Sequence, residues 1–166
     1  MRLNIRKISI ILISSFVATS ASATIQMIGQ ENKVSESISQ HFQQPVETFT
    51  GHLSKGDLLY INVGTASKDE ISVARSHASA GDTVVVDLTT LAGDEEKMEF
   101  SHDITGMGMS VPVMVTGVYQ GENSINAIIS EVVDESGNYI NSPEAQLMSI
   151  KQSLISSLTR LGFGEK

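Results

Sequence analysis

Methionine is concentrated in one stretch of the chain, where Met98, Met107 and Met109 lie close to His102 in the sequence. Thioether sulfur is a soft ligand that selects Cu(I), and imidazole also binds copper. These four residues could therefore form a metal site in a periplasmic metal- or small-ligand-binding protein. The alternative is that methionine fills irregular gaps or forms an adaptable apolar surface. We favour this second interpretation, in which no metal or other cofactor is bound.

Residues 106–110 form a glycine-rich, apolar segment at a place where a loop is ordinarily polar. Contiguous exposed apolar surface marks sites of protein–protein contact. We therefore predict that this loop and the strand after it bind a partner protein. The predicted contact residues are Met107, Gly108, Met109, Val113 and Val115. Packing of the same residues in the core is the alternative, because binding faces and core faces are both apolar in sequence.

The residues that could catalyse a reaction do not form a known catalytic pattern. Cysteine is absent, and no serine occurs as Gly-x-Ser-x-Gly. Neither a His-Glu-x-x-His zinc motif nor a Gly-x-x-x-x-Gly-Lys phosphate loop is present. A hydrolase would need Asp87 to lie beside a histidine, and the four histidines are scattered along the chain. We predict that the protein is not an enzyme and has no catalytic residues.

The N-terminus has the organisation of a secretory signal peptide. Three basic residues, Arg2, Arg6 and Lys7, precede an apolar stretch at residues 8–17, and Ala21-Ser22-Ala23 fits the small-x-small cleavage pattern. We predict cleavage after Ala23, export through the inner membrane, and a periplasmic or secreted mature protein. The apolar stretch is too short to span a membrane, so no stable insertion is expected after cleavage. An uncleaved interfacial anchor is the alternative.

Charge and composition limit the remaining possibilities. The net charge is −8, and loss of the three basic leader residues would make it −11. Such a surface repels phosphate backbones, so nucleic acid is not an expected partner. Without cysteine or tryptophan, and with only five Phe and three Tyr, the core must be built mainly from aliphatic side chains.

Apolar spacing and capping residues predict four helices. Residues 31–42 have an amphipathic pattern, and residues 67–70 have the spacing of a capping box that starts a helix ending near Gly81. Acidic residues 94–96 suit the first turn of a third helix. Ser142 as N-cap, followed by Pro143, predicts a long C-terminal helix.

The predicted strands lie between these helices. Residues 58–63 and 83–88 are buried strands, and residues 111–119 and 124–133 form a hairpin across a turn at 120–123. The resulting fold is an α/β sandwich with a small open mixed sheet, a C-terminal hairpin and packing helices. We predict a signal peptide at 1–23, a helix and connector at 24–57, and one α/β domain at 58–166.

The order of these elements resembles the N-terminal pro-domain of vibrio-type pore-forming cytolysins. The similarity covers residues 84–88, the acidic helix, Gly106-Met107-Gly108 and residues 113–116, and it extends to about residue 133. Residues 158–163 are loosely similar to the last segment of the pro-domain. No pore-forming stem or lectin domain is expected in the chain, so direct lytic activity is not implied.

The resemblance implies a function without catalysis. In that family the pro-domain assists folding and secretion of the toxin and is then removed. A free-standing copy is therefore expected to be a companion protein, a chaperone for a cytolysin (haemolysin) encoded nearby.

Overall fold

The described chain has an α/β fold in which one mixed sheet lies between two pairs of helices. The structure is a computed structural model that describes residues 23–165, so the predicted signal peptide lies outside it except for Ala23. The strands are β1 (Ile25–Ile28), β2 (Val46–Thr48), β3 (Leu58–Asn62), β4 (Val84–Asp87), β5 (Val113–Tyr119) and β6 (Glu122–Ile128). The helices are α1 (Lys33–Phe42), α2 (Lys68–Ala80), α3 (Asp94–Thr105) and α4 (Pro143–Arg160). These elements confirm the predicted fold class.

The strand order is β2-β1-β3-β4-β5-β6. The first four strands in this order are parallel, and β5 and β6 run antiparallel to their neighbours. The chain changes direction across the sheet after β2, when it returns to the other side of β1 to form β3. The carboxyl ends of β1 and β3 therefore lie side by side at a topological switch point.

The strands are buried on both faces, so alternate residues contribute to two separate hydrophobic cores. Tyr60 and Val85 point towards the side covered by α1 and α4, whereas Leu59 and Val86 point towards α2 and α3. This arrangement explains why β3 and β4 consist almost entirely of apolar residues, since neither face can be polar.

Capping side chains begin the helices at the predicted places. Ser67 and Glu70 form the predicted capping box of α2, and that helix ends at Gly81, which has a φ of 88°. Ser142 accepts a hydrogen bond from Ala145 N at the start of α4, and Pro143 occupies the first turn. Each cap satisfies a backbone amide that has no partner within its own helix.

The predicted hairpin is present, but its second strand is shorter than predicted. Gln120 and Gly121 have φ values of 53° and 85°, as a two-residue type I′ turn requires. The pairing ends where Ile128 meets Val113, the first residue of β5. Pro112 precedes Val113, and its carbonyl already accepts a hydrogen bond from Leu88 N. Residues 129–133 lie beyond the last paired residue of β6, although their β-branched composition predicts a longer strand.

The segment predicted as a helix and connector, residues 24–57, also contributes two strands. β1 lies between β2 and β3, and it pairs with both in parallel. A hydrogen bond also crosses the predicted boundary, because Leu58 N donates to Thr24 O at 2.9 Å. Residues 24–57 and the following residues thus share one sheet in the described chain.

Candidate partner-binding surface

Asp87 is the most deeply buried charged residue of the described chain, and its carboxylate is saturated with hydrogen bonds. Asn32 Nδ2 donates to Oδ2 at 2.6 Å, and the Tyr60 hydroxyl donates to the same oxygen. Thr89 donates to Oδ1 through its backbone nitrogen at 2.8 Å and its hydroxyl at 2.6 Å. None of these partners is a histidine, so the pairing that a hydrolase would need is not formed here.

Polar groups of the two loops at the switch point beside Asp87 form hydrogen bonds with one another. Gln30 N donates to Thr65 Oγ1, and Asn62 Nδ2 donates to Gln30 O, both at 2.8 Å. A Cβ on Gly29 would lie 2.6 Å from Thr65 Oγ1, so the two loops are in close contact. Doubly wound sheets commonly bind ligands at this position. Here a polar network joins the two loops, and a pocket of about 400 Å³ beside it is lined by Asn32, Thr89 and Gln146 among others.

Tyr60 provides a pH test of this network. Burial raises the pKa of Tyr60 well above its ordinary value, and the negative charge of Asp87 raises it further. The stabilising contribution of the neutral hydroxyl is therefore complete below about pH 10, the pKa of an unfolded tyrosine, and is lost as pH rises towards the folded pKa. We expect the free energy of unfolding of the wild type to fall more steeply above pH 10 than that of Tyr60→Phe, measured by urea denaturation.

Tyr139→Phe is the matched control for this titration, because 74% of Tyr139 is exposed. Its pH dependence should follow that of the wild type. Equal slopes for wild type and Tyr60→Phe would contradict the assignment.

The methionine loop, defined as residues 106–110, is held against α3 by hydrogen bonds. Ser101 Oγ accepts from Met109 N at 2.8 Å, and Thr105 Oγ1 accepts from Met107 N at 3.2 Å. Gly106 ends α3 with a φ of 80°, which turns the chain back along the helix. The loop therefore has one defined conformation, which is set by α3.

The structure places the predicted contact residues in two different environments. About half of Met107 is exposed, as is half of Met98 on α3, and Gly108 is exposed between them. A Cβ on Gly108 would lie 3.4 Å from Met98 O, so the loop and helix present one continuous surface. Met109 is partly buried and packs against the core between the sheet and α2 and α3.

Val113 and Val115 differ from the expectation, because both side chains are fully buried. They lie on the inner face of β5 and pack under α4. A partner cannot reach them in the folded domain, so these two valines contribute to the core and not to a contact surface.

The copper alternative concerns Met98, His102, Met107 and Met109. The structure brings part of this set together, because a Cβ on Gly108 would lie 3.5 Å from His102 Cβ as well as close to Met98. In residues 23–165 no group of three or more His, Cys, Asp or Glu side chains could hold a metal ion. A site that uses thioether sulfur stays a prediction.

A second apolar surface lies in the segment after β6, which we call the arm (residues 129–140). The arm turns at Asp134, whose Oδ1 accepts hydrogen bonds from Ser136 N and Asn138 N. Ile140 N donates to Val132 O at 2.8 Å, which closes the loop. The arm leaves four large side chains exposed: Ile129, Val133, Tyr139 and Ile140. Met148 on α4 is exposed as well.

The arm is not among the surfaces that the sequence predicts. Its composition is that of a strand followed by a turn, and its side chains are exposed because β6 ends at Ile128. One available signal was charge, since residues 103–150 contain no Lys, Arg or His. Acidic residues are spread through the same region: Asp103, Glu122, Glu131, Asp134, Glu135 and Glu144. The surface is therefore both apolar and acidic.

No helix in residues 23–165 combines the length and apolar character needed to cross a membrane. Neither a protein-family model nor a solved structure matches the chain. The chain is 45% identical over 143 residues to a protein named cytolysin secretion protein from Vibrio vulnificus (strain CMCP6). The aligned region covers 86% of this chain and 85% of that protein.

Proposed function

The chain belongs to the cytolysin secretion protein family, and we propose that it is a non-enzymatic accessory protein that assists the folding or secretion of a pore-forming cytolysin. The similarity to the Vibrio vulnificus protein carries this proposal, because it extends over most of both chains. The name of that protein gives the process, and the structure supports a mode of action by surface contact.

The mode of action that the surfaces favour is that of a chaperone. Met107 of the methionine loop, the adjacent Met98 and the arm provide exposed apolar surface on an otherwise acidic protein. Such surface can cover apolar patches of a partially folded client until the client assembles.

The resemblance to cytolysin pro-domains adds a finer proposal. A pro-domain assists the toxin to which it is joined, and the present chain would assist folding or secretion in the same way as a separate protein. Action on a secreted client requires that both proteins reach the same compartment. We therefore propose that residues 1–23 direct export and are removed, which places the mature protein in the periplasm or outside the cell.

The proposed function is tested by expressing the cytolysin encoded nearest this gene, with and without the present protein. We expect secreted cytolysin and haemolytic titre to rise several-fold when the protein is present, while the cytolysin messenger RNA stays constant. A form that lacks residues 2–23 is the matched control and should not raise secretion, because it is retained in the cytoplasm. Equal secreted yields with and without the full chain would contradict the proposed function.

A further inference from the structure

The outer edge of β6 has unpaired backbone groups. A two-residue hairpin turn is closed by a hydrogen-bonded pair, here Tyr119 and Glu122, and hydrogen-bonded pairs then alternate along the ladder. The backbone groups of Asn123, Ile125 and Ala127 therefore point away from β5. In residues 23–165, these three residues make no backbone hydrogen bond to any other element.

This edge lacks the usual protection against strand pairing. Natural edge strands are commonly short, interrupted by bulges, or protected by Lys or Pro. β6 is seven residues long, pairs with β5 without a bulge, and contains neither Lys nor Pro. The opposite edge, β2, is three residues long and directly follows Pro45. β6 is therefore the longer and less protected of the two edges.

The side chains of β6 specify the chemistry of an incoming strand. On the face of the sheet nearer α2 and α3, Ile125 and Ala127 are exposed and apolar. The face nearer α4 is polar: it begins with Glu122, and Arg160 of α4 donates there to Asn126 Oδ1 and lies over the Tyr119 ring. Arg160 is thus engaged by the protein's own groups, and residues 103–150 contain six acidic and no basic residues, so a complementary strand alternates apolar residues with Lys or Arg. A second copy of this chain fits poorly, because it would bring together two molecules of net charge −8.

A small cavity beside Ile125 gives the edge a further feature. Its volume is about 130 Å³, and Ile104, Thr116 and Ile125 contribute to its lining. Thr116 Oγ1 is buried and has no hydrogen-bond partner in the described part of the chain. Buried polar atoms are almost always paired, so this hydroxyl marks a place where a partner group is missing.

We propose that the β6 edge binds an extended segment of the client, in which apolar residues alternate with Lys or Arg, by adding it as a seventh strand. This inference rests on the proposed function, because it assumes a client that is not yet fully folded. Main-chain hydrogen bonds to Asn123, Ile125 and Ala127 provide the affinity, and the alternating side chains provide the selectivity.

The direct test uses a synthetic peptide in which Lys alternates with Val, and a second peptide in which Glu replaces each Lys. Backbone amide exchange of the exported protein is followed by NMR. The Lys-Val peptide should slow the exchange of the Asn123, Ile125 and Ala127 amides at least about tenfold, and the Glu-Val peptide should not. Ile125→Pro removes one outward N–H without breaking a bond to β5, so it should weaken binding and still fold.

Ile125→Lys is the second variant, because a positive charge on the edge repels the basic strand. Val73→Lys is its matched control: both wild-type side chains are 37% exposed, and Val73 lies on α2. Ile125→Lys should abolish protection by the Lys-Val peptide and lower cytolysin secretion, whereas Val73→Lys should leave both as in the wild type.

The outcomes separate this inference from the proposed function. If the wild type raises secretion and both Ile125 variants do so equally, with no amide protection, the edge inference is overturned and the proposed function stands. If the wild type does not raise secretion, the proposed function fails whether or not the peptide binds. Protection of the amides without peptide, together with a doubled mass in light scattering, would identify a second copy as the occupant and overturn the proposed chemistry.

Discussion

Asp87→Ala should lower the free energy of unfolding by about 3–5 kcal/mol, because it removes the acceptor at the centre of a buried network. Without the carboxylate, the buried Tyr60 hydroxyl keeps only its 3.3 Å hydrogen bond to Asn32 Oδ1, and Asn32 Nδ2 loses its acceptor. Asn32 also caps α1 by accepting hydrogen bonds from Val34 N and Ser35 N, so its displacement loosens the helix start.

Urea denaturation followed by circular dichroism measures this loss, since the chain has no tryptophan to report by fluorescence. The matched control is Asp82→Ala. Asp82 Oδ2 lies 2.6 Å from His77 Nδ1, but the Asp82 side chain is 42% exposed. Exposed pairs contribute little, so this variant should lose less than about 1 kcal/mol. Similar losses for the two variants would show that the buried network does not stabilise the fold.

The Asp87 network also shows what sequence reasoning could and could not find. The strand that ends at Asp87 is evident from three successive valines, and this prediction is confirmed by β4. The role of the aspartate is not evident, because its partners come from positions 32 and 60 as well as from the adjacent Thr89. An aspartate after a buried strand predicts a catalytic site as readily as a structural one until these long-range contacts are known.

The elements that sequence reasoning found are those with strong local signals. The capping residues of α2 and α4 and the turn residues of the hairpin mark their own positions. β1 and β2 are four and three residues long, and unlike the comparably short β4 they contain no run of β-branched residues. Such short segments have no resolvable periodicity, and their strand conformation depends on pairing with each other and with β3.

The candidate contact residues also divide into those whose exposure follows from local structure and those whose burial depends on distant elements. Met107 and Gly108 are exposed because α3 ends at Gly106 and turns the chain outwards. Val113 and Val115 are buried because β5 lies inside the sheet and α4 covers their face. Apolar strand residues look the same in both situations, since burial is decided by helices that are distant in sequence. The open edge of β6 depends on strand order, which no local pattern specifies.

Leu154→Ala should lower the free energy of unfolding by about 2–5 kcal/mol, because Leu154 is fully buried where α4 packs on the sheet. The truncation leaves a cavity between helix and strands that the surrounding side chains can fill only in part. Met148→Ala on the same helix is the matched control. More than half of Met148 is exposed, so its loss should change stability by about 0.5 kcal/mol or less. Equal losses in urea denaturation would contradict the packing of α4.

Leu154→Ala also distinguishes folding from client contact in the secretion assay. Since the variant weakens the fold without altering the exposed surfaces, it should support secretion at low temperature and fail as the temperature approaches its lowered Tm. Ile125→Lys should fail at every temperature, because its fold is retained and its edge is blocked. A temperature dependence shared by both variants would mean that Ile125→Lys acts through stability, and the β6 edge would then have no separate role in binding the client.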